Sequence, residues 1–133
     1  MMKASILVVE DHNLLTTALL RVLRVRGGYD VPVAVQTAEQ ALQRLPGLKV
    51  DLILVDVSLP QMSGIDLVEL LHIQYPSIPC LMLSGHNASQ YVERSVQAGA
   101  RGYILKEDVS GILEGIDRVL KGGMYFSHQL KYS

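Results

Sequence analysis

Five short apolar runs, separated by longer segments with apolar residues at helical spacing, constrain the fold of this chain more than any other sequence feature. The runs lie at residues 6–9, 31–35, 52–55, 78–83 and 102–105. None of them alternates regularly between apolar and polar residues, which is the pattern of a strand buried on both faces of a sheet. The sequence therefore predicts a central parallel sheet of five strands, covered on both sides.

Five helices are predicted between and after these strands. They lie at residues 13–26, from residue 37 to the break at Pro46, from residue 63 to about 75, at 87–97 and at 108–121. Thr37 and Ser63 have the spacing of capping-box residues, because Gln40 and Asp66 follow them three positions later. Strands that alternate with helices through right-handed crossovers give an open, doubly wound α/β domain. A chain of 133 residues suits one such domain.

Charge and cysteine content narrow the functional classes. With 12 Lys and Arg against 13 Asp and Glu, the chain has no excess of positive charge for general binding to nucleic acid or to an anionic membrane. The single cysteine, Cys80, cannot form an internal disulfide and is expected to be a small buried apolar residue. No apolar stretch approaches the ~20 residues of a membrane span. We therefore expect a cytoplasmic protein without membrane association.

Charged and hydroxyl side chains follow four of the five predicted strands. Glu10 and Asp11 follow the first strand, Asp56 the third, Ser84 the fourth and Lys106 the fifth. Ligands of open parallel sheets bind outside the carboxyl ends of the strands, where the strand order reverses. These five side chains are therefore expected to share one site at that edge of the sheet.

The chemistry of this set points to phosphate. Three adjacent carboxylates repel one another, and a hard divalent cation such as Mg²⁺ relieves the repulsion through oxygen ligands. The ammonium of Lys106 and the hydroxyl of Ser84 can then hold oxygens of a phosphoryl group. A carboxylate that faces a metal and a lysine can attack phosphorus and form an acyl phosphate. Asp56, at the end of the most apolar strand, is the predicted acceptor.

Four motifs in this order resemble the receiver domain of two-component response regulators. They are LVVEDH, LILVDVSLPQMSG, LMLSG and GYILKED, and the resemblance covers residues 3–121. The segments GYILKED and KGGMYFS are also similar to the NarL/LuxR-type transcriptional regulators. The resemblance implies a flavodoxin-like fold with five parallel strands in the order 2-1-3-4-5 and five helices.

The resemblance also implies a role for each site residue. The Mg²⁺ ligands are Glu10, Asp11, Asp56 and the backbone carbonyl of Ser58; Asp56 is the phosphoacceptor; Lys106 and Ser84 bind the phosphoryl group; and Ser84 acts with Tyr103, an aromatic that turns inward on activation, as the switch. Two positions depart from the family pattern. Gly85 stands where alanine is frequent, and Glu107 stands where proline often follows the lysine, so a cis peptide bond is not expected there.

Partners and domain limits follow from the same resemblance. A sensor histidine kinase or a phosphotransfer protein would donate the phosphoryl group, and a phosphorylation-dependent homodimer could form. The receiver domain is expected at residues 1–123, with 124–133 as the start of a linker or a C-terminal tail. Those last residues are too few for a helix-turn-helix, so this chain itself is not expected to bind DNA. We favour the receiver of a longer transcription factor, with a stand-alone receiver as the alternative.

Other functions fit the sequence less well. A phosphorylation-independent interaction module of the same fold would be expected to lose the acid pair, Asp56 or Lys106, and all of them are present. An aspartyl-phosphate hydrolase would need a second acid two residues after its nucleophile, where Ser58 stands. P-loop and dinucleotide-binding motifs are absent from the sequence. The protein is therefore expected to assist its own phosphorylation and dephosphorylation without being a turnover enzyme. No histidine is assigned as a metal ligand, and one interpretation places His86 at the mouth of the site.

Overall fold

The computed structural model describes residues 3–87 and 89–130 and contains one parallel sheet. Its strands are β1 (Ser5–Val9), β2 (Asp30–Val35), β3 (Leu52–Asp56), β4 (Cys80–Ser84), β5 (Gly102–Leu105) and β6 (Tyr125–Phe126). Within the described residues the strand order is β2-β1-β3-β4-β5-β6. All neighbouring strands pair in parallel, so their carboxyl ends meet at one edge of the sheet.

The sixth strand corrects the predicted strand count of five. Tyr125 and Phe126 pair with Gly102 and Tyr103 and extend the sheet beyond β5. The chain can return to this edge because Gly122 adopts a φ of +93°, a left-handed conformation that glycine tolerates without a steric penalty. A strand of two residues is too short to show any sequence period, and for this reason the pattern of apolar residues did not predict it.

Five helices lie on the two faces of the sheet in the described part of the chain. They are α1 (Asn13–Arg21), α2 (Ala38–Arg44), α3 (Gly64–Gln74), α4 (Ser89–Ala98) and α5 (Val109–Leu120). Helix α1 continues as a wider π-helical turn at Val22–Arg26, and α2 ends in a 3₁₀ turn at Leu45–Gly47. The count of five helices agrees with the sequence prediction.

The predicted N-caps of α2 and α3 are confirmed. The hydroxyl of Thr37 accepts a hydrogen bond from the Gln40 N–H at 3.0 Å, and that of Ser63 accepts one from the Asp66 N–H at 3.1 Å. The return bond of the first capping box is displaced by one residue, since the Gln40 side chain accepts from the N–H of Gln36 at 2.8 Å. The two capping bonds, donated by the N–H groups of Gln40 and Asp66, use backbone donors that the start of a helix leaves without intrahelical partners.

Two apolar layers bury the strands from both sides. Helices α1 and α5 pack on one face, through residues such as Leu19 and Ile116, and α2, α3 and α4 pack on the other. Cys80 lies in the second layer, and burial raises the pKa of its thiol to about 12. No helix of the described residues is long and apolar enough to cross a membrane.

The loop after β3 returns to the strand within a few residues. The N–H of Gly64, the first residue of α3, donates to the carbonyl of Val57 at 2.9 Å. A Cβ at Gly64 would collide with the carbonyl of Asp56, so this close approach requires glycine. The start of α3 is therefore held directly against the end of β3.

Candidate functional site

A buried carboxylate stands at the centre of the carboxyl edge. Asp56 ends β3 and is only 1% exposed. Its Oδ2 accepts a hydrogen bond from the ammonium of Lys106 at 3.1 Å, and its Oδ1 accepts one from the backbone N–H of Ser58 at 3.0 Å. Both oxygens thus have donors, which offsets part of the cost of burying the charge.

A second buried carboxylate lies beside the first. Glu10 follows β1, is also 1% exposed, and has its Oε1 3.1 Å from the Lys106 ammonium. Its Oε2 accepts from the backbone N–H of His12 and lies 3.1 Å from the ring Nδ1 of the same residue. Lys106, whose side chain is 20% exposed, therefore bridges carboxylates supplied by two neighbouring strands.

The pKa values of Asp56, Glu10 and Lys106 are all shifted from their usual values. Burial raises the pKa of Asp56 to about 6, and the neighbouring Glu10 adds to the rise, while the Ser58 N–H and Lys106 oppose it. Burial alone would raise the pKa of Glu10 as well, but hydrogen bonds with Asp56, His12 and Lys106 leave it lower than usual. Desolvation opposes the charge of Lys106, yet its contacts with Asp56 and Glu10 raise its pKa. At neutral pH the lysine is charged and Asp56 is largely ionised.

Four side chains form a group that could hold a metal ion. Glu10, Asp11, His12 and Asp56 each offer one ligand atom, and these atoms lie within 4.8 Å of one another. The Oδ1 atom of Asp11 is buried and accepts no hydrogen bond from the described residues; the nearby ring nitrogen of His12 lies 3.5 Å away. Three carboxylates with a buried oxygen left without a donor fit a hard cation that prefers oxygen ligands.

The hydroxyl part of the site is arranged around the backbone of His86. The Oγ of Ser84, at the end of β4, accepts a hydrogen bond from the His86 N–H at 2.9 Å. The hydroxyl of Tyr103, in β5, donates to the His86 carbonyl at 2.8 Å. Burial raises the pKa of Tyr103, and a hydrogen bond with Ser84 opposes the rise. The Tyr103 ring, which the resemblance expects to turn inward on activation, is already fully buried in this structure.

The side chain of His86 connects two loops and a helix. Its Nε2 lies 3.3 Å from the hydroxyl of Ser58, in the loop after β3. Its ring stacks on that of Tyr91, in α4, with 4.9 Å between the ring centroids and an interplanar angle of 28°. Sequence reasoning placed His86 near the site through its spacing from Ser84, but the contact with Tyr91 depends on how α4 packs.

The structure brings most of the predicted residues together. Glu10, Asp56 and Lys106 are in direct contact, and Asp11 belongs to the group around the two buried carboxylates. Ser84 reaches Lys106 through the backbone, because its carbonyl accepts from the Lys106 N–H at 2.9 Å. Sequence reasoning missed His12. Its position directly after the acid pair was the available signal, but the spacing of the histidines suggested no ligand.

Comparisons with known proteins found a matching family model and similar sequences. The family model described as "Response regulator receiver domain" matches residues 6–117. The chain is 29% identical over 132 residues to the transcriptional regulatory protein DegU of Brevibacillus brevis, covering 98% of this chain and 56% of that protein. It is 33% identical over 126 residues to the transcriptional regulatory protein MctR of Rhizobium johnstonii, covering 94% of this chain and 59% of that protein. The chain thus spans less than two thirds of the length of these relatives.

A solved structure shows the same architecture. The CheY-like response regulator receiver domain protein of Methanospirillum hungatei matches with a TM-score of 0.82 and 29% identity. The match covers 91% of this chain and 96% of that one. The likeness therefore extends over nearly the whole of both chains.

Proposed function

Since this chain belongs to the response regulator receiver domain family, we propose that it acts by accepting a phosphoryl group on Asp56. One observation carries the proposal: the Asp56 carboxylate is buried at a strand end, between the ammonium of Lys106 and the acid group of Glu10 and Asp11. A purely structural carboxylate in that position would gain little from further acidic neighbours, because they raise the cost of its ionisation.

In the proposed step, an oxygen of the ionised Asp56 attacks phosphorus. The bond between phosphorus and the donor breaks as the new P–O bond forms, and the donor leaves with the electron pair. Lys106 already lies 3.1 Å from Asp56 Oδ2 and can pair with a phosphoryl oxygen as negative charge moves onto the aspartyl phosphate. The hydroxyl of Ser84 can bind a second phosphoryl oxygen once it turns from the His86 N–H.

We propose Mg²⁺ as the metal of this site. Glu10, Asp11 and Asp56 would hold it, together with the backbone carbonyl of Ser58. When bound, the ion neutralises part of the negative charge that the carboxylates and the phosphoryl oxygens bring together. The orphaned Oδ1 of Asp11 supports this assignment, since a cation would give that buried oxygen a partner.

The proposed switch follows the hydrogen bonds of His86. If Ser84 turns toward a phosphoryl oxygen, the bond from the His86 N–H to its hydroxyl weakens. The carbonyl of the same residue holds the hydroxyl of Tyr103, so a shift of this loop reaches β5. Its side chain stacks on Tyr91, and the shift therefore reaches α4 as well. Ser84 and Tyr103 are thus proposed to couple phosphorylation of Asp56 to a shift at the surface of α4 and β5.

We propose a histidine kinase or a phosphotransfer protein as the phosphoryl donor, a phosphorylation-dependent homodimer as the active form and the cytoplasm as the compartment. The relatives DegU and MctR are named as transcriptional regulatory proteins, which supports a role in controlling a DNA-binding output. The receiver, predicted at residues 1–123, would extend through β6, which adds to its sheet, and a linker that leads to that output would begin within the predicted segment 124–133. The chain itself would neither bind DNA nor turn over a substrate as an enzyme.

Mass spectrometry after incubation with acetyl phosphate and Mg²⁺ tests the phosphoacceptor. The wild-type chain should gain one phosphoryl group that hydroxylamine removes, and the gain should require the metal. Asp56→Asn should gain none. Asp66→Asn, the same chemical change on an exposed residue of α3, is the matched control and should behave as wild type. Equal modification of wild type and Asp56→Asn would overturn the assignment.

A further inference from the structure

The backbone that carries Lys106 is held from two sides, and only one of them belongs to the site described above. Lys106 directly follows β5, and its N–H donates to the carbonyl of Ser84 in β4 at 2.9 Å. The N–H of the preceding residue, Leu105, donates to the hydroxyl of Ser127 at 3.0 Å. Ser127 lies in the segment after α5, which the sequence assigned to a linker or tail.

A buried hydrogen-bond network continues from Ser127. Its Oγ donates to Oδ2 of Asp108 at 2.7 Å, and both residues are buried, with Ser127 3% exposed. The other oxygen of Asp108 accepts from the N–H of Gly111 at 3.1 Å and thereby caps α5. The N–H of Asp108 donates to the carbonyl of Leu105 at 2.9 Å. The loop from β5 to α5 is therefore closed on itself and fastened to Ser127.

Ser127 itself is held by the sheet. Its N–H donates to the carbonyl of Tyr103 at 3.1 Å, continuing the ladder between β5 and β6. At the next step its side-chain oxygen, instead of a backbone carbonyl, accepts the Leu105 N–H. One residue thus provides a donor to β5, an acceptor for β5 and a donor to Asp108, all in a buried position where an unmade hydrogen bond is costly.

The position of this network matters because Lys106 has two targets. Its ammonium lies 3.1 Å from both Asp56 Oδ2 and Glu10 Oε1. A lysine side chain has several rotatable bonds, so the location of its backbone decides whether the ammonium can reach both carboxylates. Glu107, the next residue, is exposed and lacks the ring with which proline would restrict this loop.

We propose that Ser127 is a positioning residue for Lys106. By fixing Leu105 and Asp108 on either side of the lysine, it holds the ammonium where it contacts Asp56 and Glu10. The inference rests on the proposed function and extends it, because it makes the segment after α5 part of the phosphorylation chemistry. Removal of the Ser127 hydroxyl should therefore slow phosphoryl transfer to Asp56, although the hydroxyl itself lies outside the reacting group.

The rate of phosphorylation by acetyl phosphate with saturating Mg²⁺ tests this role. Ser127→Ala should slow the reaction about 10-fold, less than the roughly 100-fold that misplacing a catalytic group by 1 Å can cost. Ser127→Thr keeps the hydroxyl and should recover most of the rate. Tyr125→Phe is the control in the same segment: it removes the hydroxyl bonded to Glu114 at 3.3 Å, on α5, and should leave the rate unchanged.

A double-mutant cycle separates positioning from general loss of structure. In a Lys106→Ala background, Ser127→Ala should have no further effect on the rate, because the residue through which it acts is gone. If Ser127→Ala slows the Lys106→Ala variant by the same factor as it slows wild type, or leaves wild type unaffected, the proposal is wrong. Urea unfolding of every variant shows that the compared populations are folded. Ser127→Cys, which offers only a weak donor and acceptor, repeats the cycle where alanine lowers the folded fraction.

The failure of this inference is distinguishable from failure of the proposed function. A wild-type chain that is phosphorylated on Asp56 at the same rate as Ser127→Ala contradicts only the positioning role. A wild-type chain that gains no phosphoryl group on Asp56 contradicts the proposed function and, with it, the premise of this inference.

Discussion

The two halves of the site occupy the same edge of the sheet but are held in different ways. We call Glu10, Asp56 and Lys106 the carboxylate half, and Ser84, His86 and Tyr103 the hydroxyl half. In the carboxylate half, charged side chains at three strand ends hold one another through contacts of 3.1 Å. In the hydroxyl half, neutral hydrogen bonds of 2.8 and 2.9 Å run through the backbone of His86, in the loop before α4.

The helices that follow the two halves differ in how many residues they bury. Helix α4 follows the hydroxyl half, and α5 follows Lys106. Helix α4 buries Val92, Ser95 and Ala98, and one of these is a serine, while Val96 is 40% exposed. Helix α5 buries five residues, including Ile112, Ile116 and Val119. Segments with few buried apolar contacts open and shift at a lower free-energy cost. The carboxylate half is therefore suited to hold charge in place, and the hydroxyl half is suited to move.

Removal of the lysine should have the largest effect and should be confined to the carboxylate half. In Lys106→Ala the rate of phosphorylation by acetyl phosphate should fall roughly 100-fold, the cost of losing one donor that stabilises developing charge. Lys121→Ala removes an exposed lysine paired with Asp117 and is the matched control. Stopped-flow or quenched mass spectrometry measures both rates. A fall in rate of less than about 3-fold, which corresponds to a change of ~0.6 kcal/mol in activation free energy, would show that Lys106 does not take part in the reaction.

The pH dependence of stability should also separate the halves, with a smaller effect. Asp56 has a folded-state pKa of about 6, whereas an aspartate in an unfolded chain titrates near 3.9. Between these values the folded state binds more protons, so the free energy of unfolding should rise as pH falls from 7 to about 5. Between pH 7 and pH 5 this gain should be about 1.3 kcal/mol, because only about one pKa unit of the titration lies in that range and one unit corresponds to roughly 1.4 kcal/mol.

The lowered pKa of Glu10 acts in the opposite sense and at lower pH. The stability it contributes is lost as pH falls below about 4.5 and through its folded-state pKa. Stability should therefore be highest between about pH 4 and pH 5, where the gain from Asp56 and the loss from Glu10 offset each other. Urea unfolding at several pH values, with EDTA to remove metal, measures the curve, and Asp56→Asn should flatten it between pH 5 and 7. An unchanged slope in that variant would show that other groups cause the dependence.

The smallest effect is expected in the hydroxyl half. Tyr103→Phe removes the hydroxyl that donates to the His86 carbonyl and should lower the free energy of unfolding by about 1 kcal/mol. Amide chemical shifts should change at residues 84–91 and stay constant at 5–9. Tyr91→Phe, which keeps the ring that stacks on His86, is a control for loss of a tyrosine hydroxyl nearby. Shift changes that spread equally to β1 would mean that the two halves are not mechanically separate.

Local signals predicted most of the framework. The apolar runs identified β1 to β5, and Thr37 and Ser63 marked helix starts because a capping hydroxyl bonds within three residues of itself. The charged residues of the site were predictable for a related reason, since parallel strands bring their carboxyl ends to one edge. The strands and helix starts need only the residue itself and its neighbours in sequence, and the site needs in addition only the general rule for parallel sheets.

Contacts between distant residues account for what was missed. Ser127 and Asp108 are 19 residues apart, and Ser58 and His86 are 28 apart, so no periodic pattern links them. Strand β6 depends on the turn at Gly122 and on an open edge of β5, neither of which gives a two-residue strand a sequence signature. The hydrogen bond from the Leu105 N–H to the Ser127 side chain, in place of a backbone carbonyl, is likewise a property of the folded sheet.

The burial of Cys80 has a practical consequence for measuring the proposed movement of α4. With a pKa of about 12, its thiol carries only about one thiolate in 10⁵ molecules at pH 7, and its side chain lies inside the core. Thiol-directed fluorophores and spin labels react with the thiolate, so the native cysteine should remain unlabelled. A cysteine introduced at an exposed position such as Val96 would then be the single reactive handle, and the chain can be labelled site-specifically without first removing its own cysteine.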